Sequence, residues 1–76
     1  MDELRAALRR TKALYIGGKC YHVYVFPNRI VLTYPDARKR DERIYKGDEA
    51  LEVFTTRDGH IYDKITDEKL DIIPLW

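Results

Sequence analysis

A chain of 76 residues makes one small domain, residues 1–76, with a modest core and little spare stability. Its lone cysteine, Cys20, excludes an intrachain disulfide and fits a reducing, cytoplasmic setting, and no apolar run approaches the roughly 18–20 residues of a membrane span. The net charge of +1 hides a split: residues 1–46 hold eleven Lys/Arg against five Asp/Glu, and residues 47–76 hold three against eight. Such a polarised molecule can steer and orient a partner. There is no Ser, so no serine nucleophile, and the scarcity of Gly, Asn and Gln argues against a linker or a disordered tail. The charged opening stretch from Met1 to Arg10 does not read as a secretory signal.

In chain order, Asp2 to Leu14 reads as a helix, with Asp2 as its cap and Glu3 near its positive end. Leu4, Leu8, Thr11 and Tyr15 follow the helical period and form a stripe with Ala7 and Leu14 beside it. Gly17–Gly18 reads as the break that ends this helix. Lys19 to Phe26 and Arg29 to Tyr34 read as a β-hairpin, rich in β-branched and aromatic residues around Pro27–Asn28. Proline at the first turn position fits a type I turn better than a primed one, so a four-residue loop from Phe26 to Arg29 is expected. That loop pairs Val25 with Ile30, Val23 with Leu32 and Tyr21 with Tyr34, all on one face and directed at the helix. The other face carries Cys20, His22, Tyr24, Val31 and Thr33.

Pro35 to Arg43 reads as a charged loop and Ile44–Tyr45 as a short strand. The segment 48–56 is open between a helix capped by Asp48 and a strand; strand is preferred for Leu51 to Thr56 because Asp58–Gly59 is a strong hairpin turn answered by His60 to Lys64. A turn at Thr66–Asp67–Glu68 and a last strand from Leu70 to Ile73, stopped by Pro74, complete the chain. The expected fold class is therefore α+β: one N-terminal helix packed on a mainly antiparallel sheet of four to six short strands.

No catalytic constellation emerges. Cys20 and His22 share a strand face, but with only His60 to join them the ligands fall short of a structural zinc site, so neither metal nor cofactor is expected. No phosphate loop, dinucleotide fingerprint or calcium-loop spacing occurs. The surfaces that could work are basic. Arg5, Arg9 and Lys12 recur at i, i+4 and i+7, opposite Leu4 and Leu8, and Arg38, Lys39, Arg40 and Arg43 form a second cluster. Tyr24 with Arg29 offers an aromatic and cationic platform.

The expected function is a non-catalytic binding module that covers a surface of a protein or nucleoprotein partner, as an inhibitor or adaptor of the kind phages also make. Direct nucleic-acid binding through the basic half is the alternative, weakened by the acidic half. No membrane partner is expected. The apolar tail ending in Leu75 and Trp76 is expected to anchor itself, either over the open sheet near Tyr24 and Val31 or in a second copy of the chain.

Overall fold

The computed structural model describes residues 2–35 and 40–75 and shows an α+β fold. One helix, α1 (Asp2–Arg9), is followed by strands β1 (Thr11–Ile16), β2 (Lys19–Phe26), β3 (Arg29–Pro35) and β4 (Arg40–Lys46). A single 3-10 turn (Glu49–Glu52) leads to β5 (Phe54–Arg57), β6 (His60–Asp63) and β7 (Asp71–Pro74). Five strands form an antiparallel sheet in the order β4-β3-β2-β1-β7, and β5 and β6 form a separate hairpin.

The helix is shorter than its periodicity suggests. Thr11, Leu14 and Tyr15, placed on a helical stripe by spacing, lie in β1. The Thr11 hydroxyl donates to the Ala7 carbonyl at 2.7 Å and closes the helix's last turn. From there β1 pairs with β2 on one side and β7 on the other. Two ladders outweigh the weak preference of a few residues for helix. Strand alternation then turns Leu14 into the core and leaves Tyr15 outside. Gly17–Gly18 is accordingly no helix stop. Both residues have positive φ, 58° and 79°, the requirement of a type I′ turn, and they join β1 to β2.

The β2–β3 hairpin has the expected register, with Val25 opposite Ile30 and Val23 opposite Leu32. The Tyr21 and Tyr34 rings stack with centroids 5.7 Å apart. Pairing extends to Phe26 and Arg29, so the connection is the two residues Pro27–Asn28 rather than a longer loop, and neither has positive φ. The charged loop and short strand expected after β3 are corrected by β4, seven residues paired along the whole of β3 from Arg29–Lys46 to Pro35–Arg40. The segment preferred as a strand from Leu51 contains both alternatives: the 3-10 turn runs to Glu52 and the strand starts at Phe54. Asp58 and Gly59 make a second turn with two positive φ values, as expected. The following turn is held by Asp63, whose Oδ1 accepts the amides of Ile65 and Thr66 at 2.8 and 3.1 Å.

The core lies on one face of the large sheet. Leu14, Tyr21, Ile30 and Leu32 meet Leu4 and Leu8 of α1, Ala50 of the 3-10 turn, and Phe54, Ile61 and Leu70 from the second half. Burial of these side chains is the main stabilising contribution, about 1.5–3 kcal/mol for each large one. The helix, the 3-10 turn and the second hairpin thus pack on the same side.

Candidate binding surface

The other face of the five-stranded sheet is open. Register and alternation assign its residues row by row. Phe26, Arg29 and Lys46 form one end, followed by Tyr24, Val31 and Ile44. The next row runs Ile73, Ala13, His22, Thr33 and Glu42 from one edge to the other. Asp71, Tyr15 and Cys20 share the last row. Tyr24 and Ile44 are each 49% exposed and Tyr15 41%, large apolar side chains left in water on one continuous surface. Ala13, the smallest residue of the face, is buried between its taller neighbours.

The charges on this surface sit at its margins. The Arg29 guanidinium lies 4.3 Å from the Phe26 ring centroid, and Lys46 is next to it in register. Glu42 and Asp71 stand on the two outer strands toward the other end. The arrangement is an exposed aromatic and aliphatic surface bordered by charges of both signs.

Tyr24 and Arg29 are brought together here as the sequence suggests. The proposed basic stripe is not a single helix face, although Arg9 and Lys12 line one cleft beside Tyr24. Arg5 is on α1, where its Nη1 and Nη2 donate to the carbonyls of Phe26 and Gly47 at 3.2 and 3.1 Å and fasten two turns to the helix. Arg9 is exposed in the last turn of α1, while Lys12 belongs to β1, so the i, i+4, i+7 geometry of a single helix face does not exist. In the second cluster, Arg38 and Lys39 lie outside the described residues. Arg40 pairs with Pro35 at the start of β4. Arg43 stands opposite Leu32, on the core side, with its guanidinium 4.9 Å from the Tyr21 ring centroid. It covers the core's edge rather than extending a basic patch.

Three contributors to the open face were not read as site residues: Tyr15, Ile44 and Ile73. Tyr15 was hidden by its fit to the helical stripe. Ile44 was hidden by the charged run around it, although Ile44 and Tyr45 as strand neighbours must face opposite sides. Cys20 and His22 do share the outer face, and His60 lies on β6; among the described residues no group of three His, Cys, Asp or Glu is placed to hold a metal. Among those residues, too, no helix is long and apolar enough to cross a membrane. The fold thus defines a small α+β domain with one covered and one uncovered sheet face. No protein family, curated protein or solved structure matches the chain.

Proposed function

We propose that this chain is a non-catalytic binding module whose open sheet face covers a surface of a protein or nucleoprotein partner, as an inhibitor or adaptor. The observation that carries this is the exposed Tyr15–Tyr24–Ile44 surface on the side of the sheet opposite the helix. Five strands spaced about 4.8 Å apart make a platform roughly 20–25 Å wide, the scale of a small interface patch. Aromatic side chains already fixed in a sheet lose little freedom on docking, which suits them to be binding anchors.

Single-stranded nucleic acid is the second reading, supported by the Phe26–Arg29–Lys46 row beside Tyr24. It is the weaker one, because a phosphate backbone crossing the face would approach Glu42 and Asp71. Affinity capture from nuclease-treated extract, followed by titration of the purified partner, tests the first reading. Steeply salt-dependent retention on heparin, with no nuclease-resistant partner, would favour the second. Self-association through Leu75 and Trp76 is a separate proposal. Its support is that Leu75 is 58% exposed instead of folded into the core.

A further inference from the structure

We infer that the flank of β2 along residues 22–25 is a docking notch for an extended, acidic segment of a partner protein, taken up as an added strand. This stands independently of the open-face reading. Strand β2 runs to Phe26, but its ladder with β1 ends at Ala13–His22. Beyond that point β1 bulges between Thr11 and Ala13 and leaves for the helix. A cleft of about 420 Å³ fills the gap, lined by residues 22–25 together with Leu8, Arg9, Lys12 and Leu75. Successive strand residues face opposite sides of a sheet, so a cleft touched by four in a row lies along the strand's edge. The two hairpins closed by Ile16–Lys19 and Phe26–Arg29 set one parity: alternate residues of β2, among them Val25, aim their amide and carbonyl toward the side β1 occupies. At Val25 none of the described strands is there to receive them.

The chemistry of the lining selects the occupant. The half-buried Val23 and Val25 offer apolar surface, while Arg9 and Lys12 are exposed, and neither is in an ion pair among the described residues. Among the described residues no carboxylate lines the cleft. An extended chain can satisfy the strand's main-chain groups, place an apolar side chain against Val23 and Val25 and bring a carboxylate to the two cations. A basic segment would be repelled.

The test is backbone amide shift mapping of the full chain during titration with a capped peptide alternating valine and glutamate, and with its lysine-for-glutamate counterpart. The expected result is that the glutamate peptide shifts the amides of Val23 and Val25 and slows hydrogen exchange at Val25, while the lysine peptide does neither. The double variant Arg9→Glu with Lys12→Glu, its fold checked by the same spectrum, should bind about tenfold more weakly or worse. Absence of shifts with the glutamate peptide, an equal response to the lysine peptide, or shifts confined to Tyr15 and Ile44 on the open face would each overturn the inference. The comparison of the two peptides on the unaltered chain decides the matter even if the double variant does not fold.

Discussion

The hydroxyl of Tyr21, a wholly buried side chain on the core face, donates to Asp41 Oδ2 at 2.9 Å and so ties β2 to β4 across the intervening β3. Lys19 reaches the same carboxylate oxygen at 3.8 Å, and Arg43 covers the Tyr21 ring. Burial, and next the hydrogen bond to Asp41, raise the Tyr21 phenol above the ordinary tyrosine range. A raised folded-state pKa gives stability that is complete below the unfolded value, about 10, and is lost as pH climbs through the folded one. Tyr21→Phe should therefore cost about 1 kcal/mol at pH near 8. The gap to the unaltered chain should shrink in urea unfolding at pH about 11, where the unfolded tyrosine ionises. A gap that stays constant between the two conditions would contradict this account of Tyr21.

Arg5 joins the helix to two separate turns through the carbonyls of Phe26 and Gly47. Its contacts are exposed, which limits their worth, but two charge-assisted bonds from one side chain still add up. Arg5→Ala should lower stability by about 1 kcal/mol in chemical denaturation. Arg9→Ala, with no such partners among the described residues, should change it by less than about 0.5 kcal/mol.

The β1–β2 turn depends on its glycines. Gly17, at φ 58°, occupies a region that β-branched residues avoid. Gly17→Val should cost about 1–2 kcal/mol through backbone strain alone, since nothing lies within 4 Å of the added Cβ. An unchanged midpoint of thermal unfolding would show that the turn can adopt another form.

The sequence was legible where local chemistry and long-range pairing agree. The β2–β3 register could be read because any even-length loop centred on Pro27–Asn28 and the alternation of Tyr21, Val23 and Val25 demand the same pairing, and Asp58–Gly59 announced its own turn type. Thr11–Ile16 was misread because Leu4, Leu8, Thr11 and Tyr15 satisfy a helical period, while the ladders to β2 and β7 that decide the matter are contacts distant in sequence. Of strand β4 only Ile44–Tyr45 was read as strand, because Arg-Asp-Glu-Arg carries little β preference. It is an edge strand, where charges are common and guard against unwanted pairing. Of the open face, Tyr24 and Arg29 were visible from the hairpin alone; Tyr15 and Ile44 required those two misplaced strands.

The tail forms an edge strand whose Pro74 pairs with Thr11, and the Leu75 amide donates to the Arg10 carbonyl at 2.8 Å. The Leu75 side chain is not part of the core cluster. Leu75→Ala should then cost less than about 1 kcal/mol, well below the value for a buried leucine. If the chain associates through this end, sedimentation of the variant will show a loss of dimer at unchanged melting temperature.

The proposed contact is made by the open sheet face. The most direct measurement is calorimetric titration of the partner, identified by nuclease-resistant capture, against the unaltered chain, the Tyr24→Asp/Ile44→Asp double variant and Ile65→Asp. Ile65 is 82% exposed but belongs to the turn after β6, off the face, and so controls for loss of any exposed apolar side chain. At least about a thirtyfold loss of affinity is expected for the double variant, the scale of a hot-spot contact, with unchanged affinity for Ile65→Asp. Full affinity in a folded double variant would contradict it.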